Sequence, residues 1–317
     1  MKKILLILFI VASITMLNAQ QNAMQNHYIY NQMYINPAYV GTKQWTTVGL
    51  NTAHQWIGLE GAPRTQILGA DGALGKTNGW GVYVLNDAIG AQSQQSIMAN
   101  FSHHLKINEN WKLSMGLGAG LNNNVLDGTK LLGDVQDDQA IPRNRYNVLK
   151  FDSKTGVFAY TDRFYAGISI SSLFNSSLTN RNLNSIEENP HYYFTTGYVF
   201  DINENLKLKP SLLIKDDLKA QSNIDINTFL LYKEMIWLGL TYRFGTPSLF
   251  NDNLDKSLNR SSAIACFLEW NINRVFNIGY SYTMSTSSLM AFSGHELQLT
   301  YIFHRKEETR IISPRYF

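Results

Sequence analysis

Trp111-Lys112-Leu113-Ser114-Met115-Gly116-Leu117-Gly118-Ala119-Gly120-Leu121-Asn122 is the stretch whose reading decides the fold. Trp111, Leu113, Met115, Leu117, Ala119 and Leu121 fall on one face of an extended chain, and Lys112, Ser114, Gly116, Gly118, Gly120 and Asn122 fall on the other. A period of two is the signature of a strand. The apolar set is continuous enough to face lipid, and the opposite set is small and polar enough to face a lumen. The pattern recurs at 206–215, where Leu206, Leu208, Leu212 and Ile214 share a face with Pro210 and oppose Lys207, Lys209, Ser211 and Lys215. Three lysines on one face cannot point into hydrocarbon, so that face points inward. It recurs again in Phe276, Ile278, Tyr280, Tyr282 and Met284, and in Leu297, Leu299, Tyr301 and Phe303.

Working outward, the chain after residue 44 reads as about fourteen strands: 45–57, 63–74, 79–87, 92–106, 111–122, 149–160, 164–173, 191–202, 206–216, 221–232, 236–245, 261–271, 275–285 and 294–304. Their connections alternate between tight polar turns, such as Asn108-Glu109-Asn110 and Asn203-Glu204-Asn205, and longer loops, the longest at 123–148. Strict alternation puts all tight turns at one end of the strands and all longer loops at the other. This predicts an all-β, up-and-down antiparallel transmembrane barrel with short periplasmic turns and longer external loops. An even strand count places both termini on the periplasmic side. A soluble sandwich also alternates, so the hairpin order, the polar inner faces and the leader are needed to choose between them.

The leader has a basic start at Lys2 and Lys3, an apolar run over 4–17, and Leu17-Asn18-Ala19 ending in a small residue. That is the form of a secretory signal peptide, and the run is shorter than the ~20 residues a spanning helix needs. The expected organisation is a signal peptide at 1–19, a periplasmic amino-terminal segment at 20–44, the barrel at 45–304 and a periplasmic tail at 305–317. One cysteine, Cys266, gives no disulfide framework and reads as a small apolar strand residue. A net charge of +3 with 16% charged residues is too weak a bias to suggest nucleic acid. The 17 Tyr and 16 Phe suit a barrel that needs rings at two interfaces with outer-membrane lipid.

Little in the chain suggests catalysis. His103 and His104 are adjacent on a strand and point to opposite faces, and the other histidines are scattered without ligand spacing, so no metal site is expected. No nucleophile, base and orienting residue can be named together, and no cofactor motif is present: Gly116, Gly118 and Gly120 alternate on one strand face with no helix after them. Asp127, Asp134, Asp137 and Asp138 enrich the longest loop in oxygen ligands but lack the glycine and distal glutamate of a calcium loop. The chain is expected not to be an enzyme. The segments outside the wall say more. Tyr28-Ile29-Tyr30-Asn31-Gln32-Met33-Tyr34-Ile35-Asn36-Pro37-Ala38-Tyr39-Val40-Gly41 is too aromatic for a disordered leader and must bury its rings, either as a plug in the lumen or against a partner. The tail Ile311-Ile312-Ser313-Pro314-Arg315-Tyr316-Phe317 either contacts a periplasmic partner or folds back under its own barrel.

Several of these residues carry a family resemblance. Tyr30-Asn31-Gln32 followed by Ile35-Asn36-Pro37-Ala38-Tyr39 and Gly41, and Gln55-Trp56-Ile57-Gly58 with Gly61-Ala62-Pro63 and Thr65-Gln66, are its most specific parts. With Phe164-Tyr165-Ala166-Gly167, His191-Tyr192, Gly197-Tyr198-Val199-Phe200 and Trp237-Leu238-Gly239-Leu240, the chain resembles the PorP/SprF family of Bacteroidetes outer-membrane proteins associated with type IX secretion. The resemblance implies a non-enzymatic barrel that acts as accessory or anchor in protein secretion, often linked with gliding motility. The implied partners are a secreted, adhesin-like surface protein with a type B C-terminal sorting domain and the periplasmic ring of the machine. Tyr30, Asn31, Asn36, Pro37, Tyr39, Trp56, Gly61, Pro63, Arg315, Tyr316 and Phe317 are the candidate partner-binding residues. The alternative is an outer-membrane pore for small solutes, in which Lys207, Lys209 and Lys215 would favour anions.

Overall fold

The computed structural model describes residues 26, 28, 31–43, 45–131, 144–173, 176–177, 189–218, 221–246, 262–286 and 293–303. The leader, Tyr30, the residues 132–143 with Asp134, Asp137 and Asp138, and the tail with Arg315, Tyr316 and Phe317 lie outside them.

Fourteen strands form the wall. They are β1 (Thr46–His54), β2 (Arg64–Leu74), β3 (Asn78–Ile89), β4 (Gln92–Lys106), β5 (Lys112–Asp127), β6 (Arg145–Tyr160) and β7 (Phe164–Ser171). After these come β8 (His191–Tyr198, continued by Phe200–Asn203), β9 (Leu206–Asp216), β10 (Ser222–Tyr232), β11 (Ile236–Thr246), β12 (Ser262–Asn271), β13 (Phe276–Ser285) and β14 (Ser293–Phe303). Each pairs antiparallel with its neighbours, and β14 closes on β1 from Thr46↔Phe303 to His54↔His295. Closure leaves the sheet without edges.

The alternation read from the sequence sets which side chains face out. Along β5, Met115, Leu117 and Leu121 are exposed, Leu117 at 66%, while Ser114, Asn122 and Asn124 are buried. Leu68, Val84, Ile97, Phe101 and Ile168 extend the same exposed apolar band around the barrel. Trp111, Phe200, Tyr232, Trp270, Tyr301 and Phe303 ring its lower margin, the end carrying the chain's entry into β1. This is the lipid-facing belt and one aromatic girdle of an outer-membrane barrel.

The two ends differ as expected, with two corrections. At the turn end, strands meet through two to five residues, and Asn108, Thr161, Asn203 and Asn273 accept backbone N–H groups to fix those turns. At the loop end the alternation is not strict: β3 and β4 are joined by Gly90-Ala91 alone, with Gly90 at φ 56°. The longest connection is also shorter than 123–148. The strands β5 and β6 stay paired to Asp127↔Arg145, because Asn122 and Asn124 continue the inward face opposite Lys150 and Val148. By contrast β7 covers only Thr155–Tyr160 of β6, and the next pairing on that edge is Ser176–Ser177 with Phe151 and Lys150.

Candidate functional site

The lumen is occupied by the chain's own amino-terminal segment. Two short turns of the same design build it. Asn31 caps Gln32–Tyr34, its side chain accepting from Met33 N at 3.1 Å, and Asn36 caps Pro37–Tyr39, accepting from Ala38 N at 2.9 Å. Asparagine is a favoured cap, and Pro37 at the first helical position fixes φ where no N–H is needed. The caps fold residues 31–41 into a compact knot whose Met33, Ala38, Tyr39 and Val40 are wholly buried.

Glycines on the inner wall make the seat. A Cβ added at Gly81 would lie 2.6 Å from Met33 Sδ and 2.7 Å from Val40 Cγ1, and one at Gly69 would lie 2.9 Å from Met33 Cε. A Cβ at Gly116 would sit 2.5 Å from Ala38 Cα and strike the Pro37–Ala38 peptide, and one at Gly79 would strike the Val40 carbonyl. Gly156 and Gly167 accommodate the Asn36 side chain in the same way. Of the alternating glycines on β5, Gly116 serves the segment, whereas Gly118 is filled by Asn100 and Gly120 by Met98, both on β4.

Hydrogen bonds fix the segment to the wall on both sides. Asn36 Nδ2 donates to Val157 O at 3.1 Å, Ser169 Oγ to Ile35 O at 2.6 Å, Lys154 Nζ to Tyr34 O at 2.8 Å and Thr195 Oγ1 to Gln32 Oε1 at 3.1 Å. At the turn end Val40 O accepts from Ser102 Oγ at 2.6 Å and from His104 Nε2 at 2.9 Å. His104 Nδ1 lies 2.9 Å from Tyr160 OH, so the ring is held on both sides. Tyr39 meets Phe158 edge to face at 5.8 Å, and Lys43 lies 5.7 Å over the Tyr39 ring. Burial pushes the Tyr39 hydroxyl well up and the Lys43 ammonium down, the latter opposed by Asp71 and Glu269.

Earlier residues reach the opposite end. Asn26 N donates to Glu296 Oε2 at 2.9 Å, Asn26 Nδ2 to Thr283 Oγ1 at 2.8 Å, and Arg243 Nη2 to Asn26 Oδ1 at 3.2 Å. Tyr28 OH donates to Asp225 Oδ2 at 3.2 Å, and Asp225 is held by the Arg243 guanidinium at 2.7 Å. Glu296 pairs with Ala53 and Thr283 with Gly294, close to the loop end. The segment therefore runs through the lumen from near the loop end at Asn26 to the turn end at Gly41.

Two cavities flank it. One of about 360 Å³ opens at the turn end, lined by Lys43, Trp45, Trp237, Glu269, Arg274 and Ile302 among others. One of about 90 Å³ lies between Tyr28, Tyr83, Met98, Asp152, Lys154 and Lys215. The strand lysines are engaged: Lys209 is buried 5.6 Å from the Trp237 ring centre, and Lys207 pairs with Asp201 at 2.8 Å and Glu234 at 3.5 Å.

The remaining candidates lie apart from this knot. Trp56, Gly61 and Pro63 are in the β1–β2 connection at the loop end, with Trp56 at φ 50° and Gly61 at φ 71°. That loop is ordered by Gln55 N to Pro63 O at 3.0 Å, Ile57 N to Ser293 O at 3.0 Å and Gly90 N to Gly61 O at 2.8 Å. It exposes Ile57 and Leu59. Asp127 caps a short turn, accepting from Thr129 N at 3.2 Å. Sequence reasoning missed the seat glycines on five strands, His104 with Ser102, and the Arg243–Asp225 anchor. The one available signal was glycine recurring at inward positions of successive strands.

The model of the family described as type IX secretion system membrane protein PorP/SprF matches residues 17–303. The chain belongs to the PorP/SprF family. No curated protein sequence matches this PorP/SprF chain. Among solved structures it is similar to the CymD monoaromatic hydrocarbon channel, at 12% identity and a TM-score of 0.52, over 87% of this chain and 93% of that one. It is similar also to the Pseudomonas putida toluene transporter TodX, at 9% identity and a TM-score of 0.50, over 89% and 93%. At such identities the likeness is one of fold: this PorP/SprF member is an outer-membrane β-barrel.

Proposed function

We propose that the barrel is a non-enzymatic scaffold for export and surface display. Its loop end would hold a secreted, adhesin-like protein carrying a type B sorting domain, and its turn end would face the periplasm and the ring of the secretion machinery. The observation that carries this reading is the filled lumen: residues 31–43 lie across it, seated on glycines and tied to both halves of the wall. A barrel closed by its own chain offers rims, not a passage, to its partners. In this reading Asn31, Asn36, Pro37 and Tyr39 shape the closed lumen, and Trp56, Gly61 and Pro63 build an ordered rim loop for the displayed protein. Trp56→Ala is expected to reduce surface display of the cognate adhesin several-fold, while heat-modifiable migration on gels shows normal insertion. Undiminished display would remove this loop from the mechanism.

A small-solute pore is the second reading. Supporting it are the two similar solved barrels, named as a hydrocarbon channel and a toluene transporter, and the 360 Å³ cavity open at the turn end. Planar-bilayer recording decides: steady conductance from the full chain favours the pore, and electrical silence favours the scaffold.

A further inference from the structure

The outer face of the wall changes character along one arc near the loop end. Leu50, Leu68, Val84, Ile97 and Leu121 stand side by side on β1 to β5, in direct register from strand to strand, and form an exposed apolar row. One outward position nearer the loops, the row in the same register is Thr52, Gln66, Asn86, Gln95 and Asn123. Of these Gln66, Asn86 and Gln95 are exposed. The opposite arc has no such step: Ile214, Ile224, Phe244, Ile264 and Met284 are the outward residues near the loop end of β9 to β13.

A basic corner completes the polar arc. His54 lies opposite Arg64 on one side and opposite His295 on the other, and Tyr282 of β13 lies opposite His295. Directly opposed side chains are about 4.5–5.5 Å apart at Cβ, so Arg64, His54 and His295 fall within about 11 Å on one outer face. Tyr280 OH meets His295 Nδ1 at 2.6 Å, and the Tyr282 ring stands edge to face with the imidazole at 5.1 Å. Those contacts fix the ring and leave its Nε2 for a ligand. The two carboxylates of β1 to β4, Asp71 and Asp87, point inward to Thr47 and Thr65, so none opposes an anion on this face.

We infer that this arc binds a phosphorylated glycolipid, with its phosphate on Arg64, His54 and His295, its sugar on Gln66, Asn86 and Gln95, and its acyl chains against the apolar row. Depth selects a lipid, because the polar row stands one outward position above side chains that face hydrocarbon. Chemistry selects the class. The guanidinium is a planar donor suited to phosphate, and neighbouring amides both donate and accept, as sugar hydroxyls require. At ~4.8 Å between strands, β1 to β5 cover about 19 Å, a breadth that suits a sugar headgroup with its phosphate and exceeds one phosphodiester. With the loop end external, as proposed above, the lipid belongs to the outer leaflet.

The test uses the full chain in detergent and reads bound lipid by native mass spectrometry, with bisphosphorylated lipid A, its dephosphorylated form and phosphatidylglycerol as probes. Uptake of the bisphosphorylated probe is expected to exceed that of either other at least five-fold at equal concentration. Arg64→Gln with His295→Gln should lower it at least five-fold. Gln66→Ala with Asn86→Ala should lower it at least three-fold and leave phosphatidylglycerol uptake unchanged. Lys76→Gln, on the β2–β3 turn at the other end, should bind as the parent does. Equal uptake of phosphatidylglycerol, or uptake indifferent to both double variants, would overturn the proposal. So would complete displacement by excess inorganic phosphate, which would make the corner a site for the free anion. A benzophenone on Asn86→Cys, with Cys266→Ser removing the native thiol, should cross-link to glycolipid in cells; cross-linking to a protein alone would give the arc to a partner. Adhesin display does not enter these measurements, so their failure is distinct from failure of the scaffold reading. Heat-modifiable migration confirms the barrel in every variant.

Discussion

Gly116→Ala tests the seat of the lumen segment most directly. The new Cβ would start 2.5 Å from Ala38 Cα and nearer still to the Ala38 nitrogen and the Pro37 carbonyl carbon. Ordinary contact begins near 3.4 Å, so the segment must retreat by about 0.9 Å or more. Backbone, not a flexible side-chain end, is what the Cβ meets, and Asn36 and Pro37 leave that backbone little freedom. Overpacking of this kind costs about 1–3 kcal/mol. The outer face of β5 is untouched, so the cost falls on seating and not on the wall. A penalty of that size raises the unseated fraction about 5- to 150-fold. In planar bilayers the variant is expected to show opening events at least five times as frequent as the unmodified chain. Gly49→Ala is the control, since its Cβ would meet only Leu299 O at 3.8 Å and Thr300 Oγ1 at 3.9 Å. Identical traces from Gly116→Ala, Gly49→Ala and the parent would refute the seating argument.

Asn36→Asp replaces an amide that donates to Val157 O by a carboxylate that cannot, and brings its charge against that carbonyl. Proteolysis near residues 31–43 should quicken several-fold at neutral pH and slow again in acid, where the protonated carboxyl can donate; pH-independent cleavage would count against it. Arg243→Met leaves Asp225 buried without its guanidinium, a loss of about 3–5 kcal/mol. The temperature at which the folded gel band disappears should fall clearly, and an unchanged temperature would mean that the pair is not an anchor. Cys266 is exposed in mid-strand on the lipid face, paired with Leu240 and Tyr282. In membranes it should react with a lipophilic maleimide and resist a charged one, and rapid labelling by the charged reagent would contradict the placement of the belt.

Where alternation is clean, the sequence and the structure coincide: 92–106 and 206–216 are read as strands and are strands. Asn123-Asn124 misled, because asparagine is disfavoured in strands and a run of them after Leu121 looks like the start of a loop. Pairing with β6 overrides that preference, since Asn122 and Asn124 point inward where amides find polar company. Gly90-Ala91 misled in the other direction, because a tight turn needs only one left-handed glycine. The candidate site was half legible. Asn36-Pro37 announces a capped turn within four residues, but its seat is made by Gly116, Gly156 and Gly167, up to 131 positions away. Contacts at that separation leave no local pattern. A glycine that serves an approaching backbone looks the same in sequence as Gly118 and Gly120, which serve a neighbouring strand.

The lumen segment directly precedes β1, yet most of its seat is on β2 to β7 and its far anchor is on β10 to β14. A finished cylinder could admit a compact knot only by threading it through a rim. Assembly in chain order avoids that difficulty: the first half of the wall can curl around the knot as a cradle, with Asn36 and Val40 already engaged. In that order the second half would wrap over it, Arg243 and Glu296 would fasten its upper end, and β14 would pair with β1 last. In such an assembly the amino-terminal knot would serve as a mandrel, the form on which the barrel is wound.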